Sequence, residues 1–303
     1  MRKNAGEDTM DGCKTMNIGY SVNRPYLPYT LVSMHSLLSA GRGQRGLRIL
    51  LAADKDVTMD DLAPMFRMVS RFPGCTLEAR WPLEMTPRRF VSDENCCVGR
   101  DAVQVAYFRL FLPQLFEGEE KCLYLDGDMV ITRSLEDLYD TEMNGACLAG
   151  VTDRLCLEEP QIRRMKEDWG IEPGYYVNAG ALLMNLAEMR KCGGDREALE
   201  MACTKAFRYL DQDVLNQVYR GKIRLAEKQY NVFPDDREAD LAFLRDLLPG
   251  HRELFRDSAL TDPAVIHYIG PRKPWIFPEA PYAKAWQEAE EATRRTLGAQ
   301  EEK

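Results

Sequence analysis

Residues 122–131 read Cys-Leu-Tyr-Leu-Asp-Gly-Asp-Met-Val-Ile, an apolar run interrupted only by two carboxylates with a single glycine between them. An apolar segment without alternation suits a parallel strand covered on both faces, and ligands of open α/β sheets collect beyond the carboxyl ends of such strands. Asp126 and Asp128 are therefore expected side by side at a strand end. Two neighbouring carboxylates need a counter-charge. Their hard oxygens suit Mg2+ or Mn2+ bridging to a phosphate-bearing substrate. The stretch predicts an α/β fold with a metal-diphosphate site.

Charge and length narrow the partners. With 303 residues and 45% apolar content the chain can bury one large domain or two modest ones. A net charge of −8 argues against nucleic acid as the main partner. No apolar run approaches a membrane span, and residues 1–15 are polar, without the hydrophobic stretch of a signal peptide. They read as a mobile tail, and the cytoplasm is the expected compartment. The nine cysteines are scattered, several of them, such as Cys122, Cys147 and Cys203, in apolar segments, as expected of small buried hydrophobes in a reducing compartment. No Cys-x-x-Cys or Cys/His spacing suggests zinc, so a metal would be held by oxygen, with room for one imidazole.

The chain alternates strand and helix from the start. Met16–Val22 reads as a strand, Asn23–Tyr26 as its turn, 27–40 as a helix, 48–53 as the next strand, 59–70 as a helix and 76–80 as a strand. Such a β-turn-α-β opening is a nucleotide-binding arrangement in many α/β folds. Residues 102–115 are expected to form one helix, apolar on most sides yet carrying Arg109, which either snorkels to the surface or meets an anion, the phosphate or sugar near Asp126 and Asp128. Later clusters lie at the ends of apolar runs: Asn178 and Gly180 within 175–185, two carboxylates and two amides within 209–216, and His267 followed by Lys273 within 265–275. Gly180 would allow a ligand close to the backbone, and Asn178 offers donor and acceptor. Residues 281–303 read as a peripheral C-terminal helix and tail.

These clusters in this order resemble the retaining glycosyltransferases of family 8, the group of glycogenin and bacterial lipooligosaccharide galactosyltransferases. The resemblance rests on Leu-Tyr-Leu-Asp-Gly-Asp (123–128, the Asp-x-Asp motif), Tyr-Val-Asn-Ala-Gly (176–180), Asp-Gln-Asp-Val-Leu-Asn (211–216) and His-Tyr-Ile-Gly-Pro-Arg-Lys-Pro-Trp (267–275), and spans about residues 16–275. It implies a GT-A type fold over residues 16–280: a Rossmann-like mixed central sheet flanked by helices, a single domain binding a nucleotide-diphosphate sugar. It further implies Mn2+ or Mg2+ held by Asp126, Asp128 and His267, and a diphosphate met by Lys273 and Gly270. Arg109, Asn178, Gly180, Asp211 and Gln212 match positions around the donor sugar, Asp211 and Gln212 being the catalytic candidates, and Asp153 matches the acceptor side.

The donor implied is a UDP-sugar carrying glucose or galactose; the acceptor is a saccharide or glycolipid. Family members keep the anomeric configuration, through a short-lived ion pair with same-face attack or through a covalent intermediate. Gln212 matches the place on the sugar's far face where a nucleophile would sit, and an uncharged amide is a poor one, which favours same-face attack. Where the family's first strand commonly ends in an aspartate facing the uracil N3–H, this chain has Asn23, whose amide can accept from uracil or, turned over, donate to cytosine. Ser21 and Tyr26 match other nucleotide-side positions more loosely.

Two other functions fit parts of the sequence. Leu-Asp-Gly-Asp-Met-Val also matches the first motif of haloacid-dehalogenase-type phosphatases, but that motif normally lies on the first strand, and more than a hundred residues precede it here. A catalytically inactive nucleotide-sugar-binding protein is the other alternative, against which the intact Asp126, Asp128, His267 and Lys273 weigh. Plainer roles are expected for several residues: Asp153 as a helix cap, Trp275 as packing, Tyr175 and Tyr176 as core, Asp213 and Asn216 as fasteners of their turn. The loops 82–100 and 154–174 are long enough to shape an acceptor cleft. The C-terminal tail, with Trp286 its only aromatic after Tyr282, leaves room for peripheral membrane contact.

Overall fold

The computed structural model describes residues 15–41, 45–85, 88–99 and 102–298. The tail read over residues 1–15 lies outside the described residues except for Thr15, as do residues 299–303 of the C-terminal tail. Seven strands form the main sheet: β1 (Met16–Val22), β2 (Leu47–Ala53), β3 (Thr76–Arg80), β4 (Cys122–Leu125), β6 (Leu148–Thr152), β7 (Val177–Met184) and β8 (Ile223–Leu225). Their order is β3-β2-β1-β4-β7-β6-β8. The first four are mutually parallel, β7 runs antiparallel to β4 and β6, and β8 is parallel to β6. This is the Rossmann-like mixed sheet that the family resemblance implies.

The apolar runs lack alternation because both faces are covered. Ile49 and Leu51 enter one core and Leu50 and Ala52 the other. Each fully buried Ile or Leu side chain of this kind contributes roughly 1.5–3 kcal/mol relative to exposure. The first face is covered by α1 (Leu27–Ala40) and α2 (Met59–Val69), whose Met34, Leu37, Leu62, Met65 and Met68 share its core. The second is covered by the segment 103–116 and by α3 (Leu186–Cys192), α4 (Gly194–Thr204) and α5 (Leu210–Val218). α6 (Glu238–Leu247) joins this second core through Leu241 and Leu244. α7 (Ala283–Gly298) lies against α1, with Trp286 buried among Tyr29, Tyr268 and Trp275. Trp286 is thereby spent on packing, as is Trp275, which stacks on Tyr29 with ring centroids 3.8 Å apart.

The single helix expected over 102–115 is instead three short pieces, Val103–Ala106, a 3-10 turn Tyr107–Phe111 and Leu112–Leu115. Pro113 has no N–H for the carbonyl of Arg109, which accepts instead from Leu112 in the tighter 3-10 pattern. Arg109 lies in this tightened turn, buried beneath the sheet's active end.

At the end of β4 the chain leaves the main sheet. After Asp126-Gly127-Asp128 it continues as β5 (Met129–Ile131), which pairs antiparallel with β9 (Val265–His267), Met129 opposite His267. This second, two-stranded sheet carries a residue from near the end of the sequence to the carboxylates at the end of β4.

Candidate active site

Asp126 follows the last residue of β4, and its N–H donates to Gly180 O on β7, continuing the ladder by one rung. Gly127 passes so close to α1 that a Cβ there would lie 2.2 Å from Thr30 Oγ1, which explains a glycine between the two acids. Each carboxylate has one oxygen engaged by a cation and one turned inward. Asp126 Oδ1 accepts from Arg109 Nη2 (2.9 Å) and Tyr124 OH (2.7 Å); Asp128 Oδ2 accepts from Lys273 Nζ (2.5 Å). The other oxygens face one ring nitrogen: His267 Nε2 is 3.7 Å from Asp126 Oδ2 and 3.3 Å from Asp128 Oδ1.

The three inward-facing ligand atoms lie within 4.8 Å of one another. Two hard oxygens and one imidazole nitrogen form a donor set suited to Mn2+ or Mg2+, so the residues fit a divalent ion. Burial alone would push the Asp128 carboxyl up, but the Lys273 ammonium and His267 imidazole outweigh it and hold it far below the usual carboxylate range. For Lys273, burial disfavours the charge and the adjacent Asp128 more than compensates, leaving it raised. Both groups are thus ionised at neutral pH. The loop between β9 and Lys273 turns at Gly270, whose φ of +73° is a left-handed conformation that favours glycine.

The residues matched to the donor sugar meet on the other side of Asp126. Arg109 is 6% exposed; its Nη1 donates to Ala179 O, its guanidinium lies 4.2 Å from the centre of the Tyr124 ring, and its Nε is 2.8 Å from Asp211 Oδ2. That Nε–H points at Ala106 O, so Asp211 Oδ2 is buried beside a cation without a hydrogen-bond donor. Burial raises the Asp211 carboxyl to about 7, against the opposing pull of Arg109. Leu210, which precedes it, has a φ of +47°, a strained backbone for a branched residue that costs about 1–3 kcal/mol. It turns α5 so that Asp211 and Gln212 both enter the site.

Asn178, Gln212 and Asp153 form one connected group. Gln212 Oε1 accepts from Ala179 N (3.0 Å) and Asn178 Nδ2 (3.1 Å), and its Nε2 donates to Asp153 Oδ2 (3.3 Å). Asp153 also caps the turn that follows it, Oδ1 accepting from Leu155 N, so capping and membership of the site coexist. Asp213 and Asn216 act as fasteners: Asp213 accepts from Tyr176 OH and Tyr209 N, and Asn216 bonds both backbone groups of Val177. Tyr176 is core as expected. Tyr175 is not: it is 36% exposed and pairs with His251, because it lies in a surface turn before β7 begins.

Gly180 also has a packing role within the protein. A Cβ there would lie 2.3 Å from His267 Cε1 and 2.8 Å from Asp126 Oδ2, so the close approach it permits is that of the His267 ring. Of the residues expected to meet the nucleotide, Asn23 caps the turn after β1, its Oδ1 accepting from Tyr26 N (3.2 Å), so that oxygen is already shared with the backbone. Burial raises the Tyr26 phenol, which lies beside Lys273. Ser21 Oγ, near the end of β1, is buried without a hydrogen bond of good geometry. The sequence reading missed Tyr124, Asn231 and the pair Lys228–Asp236. Tyr124 and Asn231 are single polar groups within apolar runs, a signal indistinguishable from core packing until their partners are known.

A mixed sheet in this order, with an acid pair closing its fourth strand, places the chain in the GT-A class of glycosyltransferase folds. The galactosyltransferase LgtC, solved with donor and acceptor sugar analogs, matches it with a TM-score of 0.69 and 24% identity over 91% of this chain and 96% of that one. The apo WbbM bifunctional glycosyltransferase matches with a TM-score of 0.77 and 19% identity over 97% of this chain, which spans about half (52%) of its length. Family membership comes from sequence: the model of glycosyl transferase family 8 matches residues 17–277. The chain belongs to that family and is a glycosyltransferase. Among its relatives, the lipopolysaccharide 1,2-glucosyltransferase of Escherichia coli K12 is 27% identical over 279 residues, 89% of this chain and 76% of the relative.

Proposed function

We propose that the chain moves a hexose, glucose or galactose, from a UDP-sugar to a hydroxyl of a saccharide or glycolipid acceptor, with retention of configuration and dependence on Mn2+ or Mg2+. The observation that carries this reading is the convergence of Asp126 Oδ2, Asp128 Oδ1 and His267 Nε2 beside the Lys273 ammonium. A bound Mn2+ or Mg2+ would supply Lewis-acid neutralisation of the diphosphate. Lys273, within reach of the same place, offsets charge on the departing nucleoside diphosphate as a positive point charge, and the turn at Gly270 lets the backbone approach the phosphates. Asn23, Tyr26 and Ser21 form the nucleoside side.

The sugar would lie against Arg109, Asp211, Asn178 and the Gly180 backbone. Asp211 Oδ2, buried with no hydrogen-bond donor, can accept a sugar hydroxyl. Gln212 is an uncharged amide engaged at both ends, which makes it a poor nucleophile and favours same-face attack by the acceptor, with Asp153 on the acceptor side. In this reading residues 16–280 are the catalytic domain, 281–303 a peripheral addition, and the enzyme works in the cytoplasm; among the described residues no helix is long and apolar enough to cross a membrane. Donor hydrolysis tests it: UDP-glucose or UDP-galactose should be cleaved slowly with Mn2+ and not in excess chelator. Undiminished cleavage in chelator would remove the metal, and cleavage of neither would remove the donor.

A further inference from the structure

The polarity of the amide chain beside the site follows from two backbone groups. A backbone N–H can only donate, so the atom of Asn178 that lies 2.9 Å from Gly180 N is its oxygen, and the atom of Gln212 that lies 3.0 Å from Ala179 N is likewise oxygen. The remaining atom of Asn178 is therefore its NH2, consistent with its carboxylate partner Asp153 Oδ2 at 2.8 Å. Asn231 approaches Asn178 Oδ1 at 2.8 Å and must present a donor there, Nδ2. Its oxygen is then the atom 3.0 Å from His267 Nδ1, and an oxygen at that place requires a proton on Nδ1.

Packing leaves the imidazole and Asn231 little room to rearrange. The Gly180 backbone lies against one part of the ring, where even a Cβ would collide, and Phe233 packs edge-on with centroids 5.6 Å apart. Asn231 is itself fully buried, and its neighbours Lys228 and Asp236 form an ion pair of 2.7 Å with side chains only 1% and 2% exposed. His267 N donates to Val232 O, so the strand and the Asn231 segment are stitched at the backbone as well.

We propose that Asn231 is a positioning residue for the metal centre: it holds the proton of His267 on Nδ1 and so leaves Nε2 as the ligand atom facing Asp126 and Asp128. The inference rests on the metal reading above and adds a residue to it. Through Asn178 the same amide ties the metal side of the site to the group formed by Gln212 and Asp153, so that both sides share one hydrogen-bond polarity set by Ala179 and Gly180. Partners of metal-ligating histidines act in this way, and losing one typically weakens metal binding by about 10–100-fold.

Mn2+ binding to the full chain in the presence of UDP, followed by electron paramagnetic resonance, tests it with two variants. Asn231→Leu removes the acceptor and should weaken Mn2+ by about 10–100-fold. Asn231→Asp keeps an acceptor for the Nδ1 proton, though it loses the donor to Asn178 Oδ1, and should bind Mn2+ more tightly than Asn231→Leu, a partial rescue that a merely space-filling role would not give. Wild-type affinity in Asn231→Leu, or equal loss in both variants, overturns the inference while leaving the metal reading intact. Failure of the unaltered protein to bind Mn2+ overturns both. Should Asn231→Leu not fold, the wild type saturated with diamagnetic Cd2+ gives the answer by nitrogen-15 correlation, aided by a chain with only three histidines. A proton on His267 Nδ1 with cadmium coupled to Nε2 is expected; the reverse assignment overturns the proposal.

Discussion

Asp211 is a carboxyl whose burial outweighs its neighbouring arginine, which sets a pH dependence with a definite sign. Its folded value of about 7 lies above that of an exposed aspartate, so between the two the folded state holds the extra proton and stability falls as pH rises, by roughly 1.4 kcal/mol per unit, levelling off above 7. Urea unfolding between pH 5 and 8 should show this slope in the wild type and a flatter one in Asp211→Asn. Donor turnover should change in the opposite direction, rising as Asp211 ionises through about pH 7 and becoming able to accept a sugar hydroxyl. Gln212 is expected to matter to the reaction more than to binding: Gln212→Ala should lower kcat by roughly 10-fold or more with donor KM changed less, and equal loss in both would make it a binding residue alone. At this scale Asp126, Asp128, His267 and Lys273 were legible, because charge at the edge of an apolar run is hard to explain as packing. Asn231 was not: an amide between Tyr230 and Val232 has no meaning until β9 brings His267 beside it.

Among the elements, the separation of β4 from β5 positions the site. β4 holds its place in the main sheet, β5 leaves to pair with β9, and the two aspartates occupy the point of divergence. The strands were readable because runs such as Met16–Val22 and Thr76–Arg80 have clear polar ends, whereas the pairing of β5 with β9 leaves no local trace. Lys273 and Asp128 are 145 positions apart. The one helix expected over 102–115 failed for a local reason, the missing N–H of Pro113, whose effect on the carbonyl of Arg109 could have been read from the sequence. The segment carrying Asn231 is secured by the enclosed Lys228–Asp236 pair, with Lys228 also 4.2 Å from the centre of the Phe233 ring. Removing one partner strands a buried charge, so Lys228→Met should destabilise the protein by about 3–5 kcal/mol, measured by chemical denaturation. Adding Asp236→Asn should recover part of that loss; a single-variant effect below about 1 kcal/mol would show the pair to be solvated.

On the scale of the whole molecule, two cores cover the two faces of the sheet and the site opens at the end where β1, β4 and β9 deliver their polar residues. That arrangement brings Tyr26, the Asp126–Asp128 pair with His267, and Lys273 from distant parts of the chain to one place. The proposed reaction depends on coupling between metal and nucleotide. Calorimetric titration with UDP, CDP and GDP, with and without Mn2+, on the wild type and on Asp128→Asn, measures that coupling directly. Binding of UDP in preference to the others, dependent on Mn2+ and lost in Asp128→Asn with the fold unchanged, is expected; UDP binding of equal strength in excess chelator, or preserved in the variant, would contradict the proposed function.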